Sequence, residues 1–431
     1  ELKGFEQDAD GVTVTHQATQ EFRYSEETDV KESLEIDTDL QTLRAKYLVG
    51  ADGGRSVVRM ALGIEMTGKN FPEPWLVVDL EQKDREVGLR HMPYFNFVVD
   101  PELPVVSCTQ PDGYHRFEFM LMPGETKENM EKPETVRHYL SKYVNPDDFI
   151  VKRKLVYTFN ALMANRWREG RVLLAGDAAH MTPQFMGQGA SSGVRDAYNL
   201  GWKLSAVLNG TAGDGLLDTY ERERRDHAQA MINISVQMKD MVSMTHPVGT
   251  AVRDIVLKTA MALPPLKKWL QEGGFKPTPV YTKGHYMGLP RTGRSGPEGA
   301  LSPQPEVRRF DGRRVLLDEL LGSEFALIGL NVDPRAGLSQ QTLSFLEQLG
   351  TRFVTLYPYG GRPQATFGVP RRAPEGVTEV EDINGYMVDW FNKAGLNDNA
   401  VAIIRPDKFA FGVVRQKELE PALGLLRGQL G

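Results

Sequence analysis

The chain has 431 residues, 41% of them hydrophobic and 25% charged, with a formal net charge of -6 and one cysteine, Cys108. That length allows about two or three domains, and the acidic balance excludes a nucleic-acid backbone as main partner, because such binders gather Lys and Arg to displace counterions. A single cysteine excludes an intrachain disulfide or a cysteine metal cluster and fits a reducing cytoplasm; no apolar run reaches the ~20 residues that span a bilayer, and the eight histidines form no HExxH or HxxxH pair.

In chain order, residues 1 to 50 alternate polar and apolar side chains, as at Val12, Val14, Leu34 and Ile36, and end in the run Lys46 to Val49. This predicts hairpin strands leading into one buried strand. Strand-like runs from Trp75 to Asp100 and from Val105 to Leu121, interrupted by Pro and Gly, predict a mostly antiparallel layer. Thr135 to Tyr143 reads as a short helix and Val172 to Ala175 as a buried strand. Apolar or small residues at Val194, Ala197, Tyr198, Gly201, Leu204 and Leu208 keep the spacing of a helix face, and Asn209-Gly210 supplies its stop. Helical stretches follow from Leu216 to about Met244 and from Val252 to Leu270; Gly and Pro then crowd residues 273 to 305, which reads as a linker. Beyond it, Phe325 to Leu330, Ser339 to Leu349, Phe353 to Leu356, Ile383 to Ala394 and Ala400 to Ile404 repeat a strand–helix rhythm that predicts a separate α/β domain.

Two segments carry chemistry. In Tyr47 to Arg59, a strand runs into Gly50-Ala51-Asp52-Gly53-Gly54 and then Arg55 at the start of a helix. Glycines let the backbone approach a ligand, a helix N-terminus offers free N–H groups, and Arg55 and Arg59 can neutralise phosphate. The plainer reading is that Asp52 caps the helix. In the second segment, Gly176-Asp177 places a carboxylate at the carboxyl end of a buried strand, and Pro183, Gly187 and Gly189 precede a helix whose N-terminal partial positive charge suits an anionic ring edge. The spacing Gly187-x-Gly189-x-x-x-Gly193 imitates a dinucleotide motif but follows a proline loop and has the wrong third interval.

GADGGRSVVR, Gly50 to Arg59, resembles the Asp-Gly motif of the single-component flavoprotein aromatic hydroxylases, the p-hydroxybenzoate hydroxylase family; RVLLAGDAAHMTPQFMGQG, Arg171 to Gly189, resembles that family's Gly-Asp motif. Trp75 to Leu80, Arg116 to Glu125 and Gly193 to Ala197 make it most similar to 3-(3-hydroxyphenyl)propionate hydroxylase-like members. The resemblance implies FAD as cofactor, NAD(P)H as reductant, O2 and a phenolic substrate as partners, and hydroxylation of the ring in the cytoplasm, with a homodimer as an allowed assembly. It implies that Asp52, Gly53 and Arg55 touch FAD and NAD(P)H, that Gly176 and Asp177 meet the ribityl chain, and that Pro183 lies beside the reactive C4a position. Gly187, Gln188, Gly189, Ala190 and Ser191 would hold the pyrimidine edge; Ser191 stands where many members carry Asn.

The implied fold is mixed α/β: an FAD/NAD(P)-binding domain in residues 1–70 and 161–275, an antiparallel substrate sheet in 71–160, a linker in 276–305, and in 306–431 a thioredoxin-like domain without CxxC. The family's opening strand and GxGxxG turn have no counterpart here, so the chain is expected to be the later portion of a hydroxylase. Alternatives are a polyketide or antibiotic-tailoring hydroxylase of the same fold, and a non-catalytic fragment. Tyr114 and Arg116, with Glu118 on the same strand face, either line the substrate pocket or face solvent. His180 reads as a packed structural residue, Trp202 and Lys203 as structural with the lysine stem along the surface, and Met231, Met238, Met241 and Met244 as core or entrance lining.

Overall fold

The computed structural model describes residues 1–18, 39–71, 73–84, 93–288, 296–363 and 373–431. Leu34, Ile36 and parts of the Trp75 to Asp100 and Gly273 to Pro305 segments lie outside the described residues. Contacts divide the chain into two compact units, Glu1–Gly193 with Ala228–Pro277, and Val194–His227 with Thr278–Gly431.

The first unit opens with the antiparallel strands Leu2–Gln7, Val12–His16 and Gln41–Ala45. Its largest layer is a five-stranded antiparallel sheet in the order Phe149–Tyr157, Trp75–Gln82, Tyr114–Met120, Val105–Thr109, Phe95–Val98. Successive side chains of a strand point to opposite faces, so Leu76, Val78, Phe117 and Phe119 fill a core under the helix Pro133–Ser141, which contributes Val136 and Leu140. The intervening residues Val77, Asp79, Arg116 and Glu118 take the other face. A separate small sheet pairs Leu48–Gly50 in parallel with Val172–Leu174. Instead of one helix from Val252 to Leu270 there are two, Pro247–Ala262 and Pro264–Gln271. Pro264 lacks an N–H and forces Leu263 into an extended conformation, ψ 108°, which stops the first helix.

The second unit is built on a seven-stranded mixed sheet whose middle strands Val377–Asp382, Arg352–Pro358 and Ala326–Leu330 run parallel. Ala326, Ile328 and Leu330 join one buried cluster while Phe325 and Leu327 join another, so the sheet is covered on both faces and its strands read as continuous apolar runs.

The helix Gly189–Leu208 departs from its sequence reading. Its apolar positions Val194, Tyr198 and Leu208 are exposed at 58%, 65% and 55%, whereas Asp196, Asn199 and Lys203 are buried. Lys203 is not a surface lysine: its Nζ donates to Glu223 at 2.9 Å and to Asn199 at 2.8 Å. Charge is tolerated there because each group is paired. Arg405 donates to both oxygens of Glu223 at 3.0 and 2.9 Å and is also bonded to Asp407, while Arg224 donates to Asp196 at 2.8 Å. Burial pushes the Lys203 ammonium down to about 8, against the pull of Glu223. Burial alone would raise the Glu223 carboxyl, yet Arg405 and Lys203 together hold it well below the ordinary carboxylate range.

Candidate active site

The strands Leu48–Gly50 and Val172–Leu174 lie side by side and point the same way, Gly50 against Leu174. Both chemical segments therefore leave the sheet at its carboxyl edge, where open α/β sheets bind ligands. Behind the first strand, Ser56 caps the short helix Val57–Ala61 by accepting from the Arg59 N–H at 2.9 Å, and Asp52 accepts from the Val58 N–H at 3.1 Å. The capping role of Asp52 is thus real, and its exposed position leaves the carboxylate open to solvent as well. Gly53 is half-buried and Arg55 exposed in the same loop. Arg59 does not face a ligand. Its guanidinium is buried and donates to the Gly54 carbonyl at 2.8 Å and the Ala178 carbonyl at 3.2 Å. It cross-links the loops of the two segments, a role the sequence reading as a phosphate neutraliser did not foresee.

Behind the second strand, Gly176 turns the chain in the left-handed region at φ +60°, a conformation costly for residues with a Cβ. Asp177 follows, exposed by surface area yet partly desolvated by the protein around it. Burial raises its proton affinity above the ordinary carboxylate value, and His180 pulls it back. His180 itself is buried and packs on Trp167, with ring centroids 5.0 Å apart. Pro183 is buried and leads into the turn Gln184–Met186, which the left-handed Gly187 (φ +59°) terminates. Phe185 anchors this turn edge-on against Trp75 at 5.1 Å and Phe159 at 5.3 Å. Gln188, Gly189, Ala190 and Ser191 then lie at or beside the start of the helix Gly189–Leu208, none of them buried. The first N–H groups of a helix have no partner within it. An exposed carboxylate that can accept hydrogen bonds from hydroxyls, with a row of main-chain donors at a positive helix end, is a donor and acceptor set that fits a flavin's ribityl chain and ring edge.

On the five-stranded sheet, Tyr114 is half-buried at one end of its strand, and Arg116 is held by Asp79 through bonds of 2.6 and 3.0 Å. That pairing raises the Arg116 guanidinium above its ordinary value, so the group is committed to a protein carboxylate and is not a free clamp for a substrate acid. Glu118, two residues on, is 5% exposed, and burial pushes its carboxyl up to about 7. The sequence reading missed the Trp75, Phe159 and Phe185 cluster that seats the Pro183 turn; apolar aromatics at 26 and 84 residues' separation leave no local pattern to find.

Comparison with known proteins gives the chain's family and fold. The family described as FAD binding domain matches residues 1–235, and the HcaD C-terminal domain matches residues 299–429. A 3-(3-hydroxy-phenyl)propionate/3-hydroxycinnamic acid hydroxylase of Klebsiella pneumoniae (strain 342) is 38% identical over 95% of this chain and 68% of the relative. One of the same name from Comamonas testosteroni is 36% identical over 97% of the chain and 74% of the relative. The chain thus spans about two thirds to three quarters of their length. Among solved structures, aklavinone-11 hydroxylase with FAD and aklavinone has a TM-score of 0.69 at 22% identity, covering 99% of this chain and 73% of that one. The flavin-dependent monooxygenase PieE with FAD and substrate has 0.72 at 21%, covering 100% and 75%. These two likenesses show the fold.

Proposed function

We propose, from the premise that the chain belongs to the FAD binding domain family, that it is an FAD-dependent monooxygenase which hydroxylates a phenolic compound using NAD(P)H and dioxygen. The names of its relatives at 36% to 38% identity support a substrate like 3-(3-hydroxyphenyl)propionate. One observation carries the reading: the Asp-Gly and Gly-Asp loops leave adjacent parallel strands at the same edge and are cross-linked by Arg59.

When bound, FAD supplies the redox chemistry, taking hydride from the nicotinamide and activating dioxygen for transfer of one oxygen atom to the ring. The protein's part is to bind and orient. Asp177 would accept from ribityl hydroxyls, and Asp52, Gly53 and Arg55 would meet the pyrophosphate and the nicotinamide. The N–H groups from Gly187 to Ser191 would face the pyrimidine edge, with buried Pro183 keeping water from the reactive face. The sheet face carrying Tyr114 and Arg116 would form the substrate floor, Arg116 acting with Asp79 as a neutral pair. Residues 306–431 would be a thioredoxin-like module with a packing role, having no CxxC.

The test is NADH and NADPH oxidation by the full chain with FAD. Stimulation by 3-(3-hydroxyphenyl)propionate, with a product one oxygen atom heavier, is expected. No stimulation by 3-(3-hydroxyphenyl)propionate, or stimulation by fused-ring aromatics alone, would overturn this substrate assignment.

A further inference from the structure

Glu118 is a buried acid that the reading above leaves without a task. Strand alternation sends Phe117 and Phe119 into the core and Glu118 to the opposite face, in register with Val77 on one neighbouring strand and Val106 on the other. Its carboxyl therefore has apolar neighbours on both sides. Arg116, the nearest cation along the strand, is neutralised by Asp79. Across from the sheet lies Gln184, the first residue of the turn that follows Pro183. The Gln184 amide nitrogen is buried without a hydrogen bond of full geometry, yet the Gln184 side chain lies close enough to the Glu118 carboxyl to favour its ionised form. Phe185, wedged between Trp75 and Phe159, limits how far that turn can move.

We propose that Glu118 is a positioning residue for the flavin loop, acting through Gln184: the ionised carboxylate draws in the Gln184 N–H and fixes residues 183–189, and the protonated acid releases it. The inference rests on the flavin assignment above. Other charged or titratable groups facing Glu118 are Arg116 on its own strand, Asp79 on Trp75–Gln82 and Cys108 on Val105–Thr109. Burial places the carboxyl's titration at about 7, with Arg116 and the Gln184 side chain opposing the rise and Asp79 reinforcing it. If the ionised form holds the loop, FAD affinity is full above this titration and falls as pH drops through it.

The experiment measures FAD dissociation constants for the full chain by flavin fluorescence between pH 5.5 and 8.5, in the wild type, Glu118→Gln and Gln184→Ala. The wild type is expected to bind roughly tenfold more weakly at the acid end, as befits losing one charge-assisted hydrogen bond. Glu118→Gln, nearly isosteric, should bind with no midpoint near neutrality. Gln184→Ala should also lose the midpoint although Glu118 is intact. A flat wild-type profile, or a midpoint surviving in either variant, overturns the inference and leaves the flavin assignment standing. No FAD binding by the wild type at any pH overturns both.

Discussion

At Asp177 an exposed carboxylate follows a buried strand within the field of His180, and at Arg59 a guanidinium is spent on two main-chain carbonyls. The two residues should fail differently. Asp177→Ala leaves the fold alone, because the side chain is exposed, and should weaken FAD binding roughly 10- to 100-fold, the worth of a charged hydrogen bond. Equilibrium titration with FAD checks this, and unchanged affinity would remove Asp177 from the site. Arg59→Met strands the Gly54 and Ala178 carbonyls and should cost about 2–3 kcal/mol of stability, read as a fall in Tm of roughly 2–6 °C. An unaltered Tm would mean the cross-link contributes nothing. Asp177 was legible in the sequence, since a carboxylate after an apolar strand and a glycine has a recognisable place. The task of Arg59 was not, because its second acceptor, Ala178, is 119 residues away.

The helix Gly189–Leu208 shows where pattern reading stops. Its start was legible from Gly187, Gly189 and the proline before them, and its stop from Asn209-Gly210; the strands Ala326–Leu330 and Ala400–Ile404 were equally plain as short apolar runs. Which side of the helix is buried was not legible. Hydrophobic periodicity assumes that charge faces water, and here Asp196 and Lys203 are buried because Arg224, Glu223 and Arg405 meet them. Removing one partner from such a group leaves others charged and unpaired. Glu223→Gln should therefore destabilise the protein by about 3–5 kcal/mol, measured by thermal or denaturant unfolding. The sign with pH follows from the lowered Glu223 carboxyl. Its contribution is present above the unfolded-state pKa of about 4.3 and is lost as pH falls below that value toward the folded-state one. Wild-type Tm should drop between pH 5 and 3, and the drop should be shallower in Glu223→Gln. Parallel slopes in the two proteins would contradict this.

Over the whole molecule, two loops that are some 125 residues apart in sequence, at Asp52 and Asp177, meet because the strands before them pair in parallel. A single cysteine excludes an intrachain disulfide, and among the described residues no helix is long and apolar enough to cross a membrane. The family is carried by residues 1–235 and the α/β module by residues 299–429. The central claim is that the paired loops form a flavin site. The most direct test is the visible spectrum of the purified 431-residue chain titrated with FAD, alongside Asp177→Ala. A saturable, perturbed flavin spectrum in the wild type that weakens in the variant is the predicted result; a chain whose spectrum with FAD is that of free FAD at every concentration would contradict it.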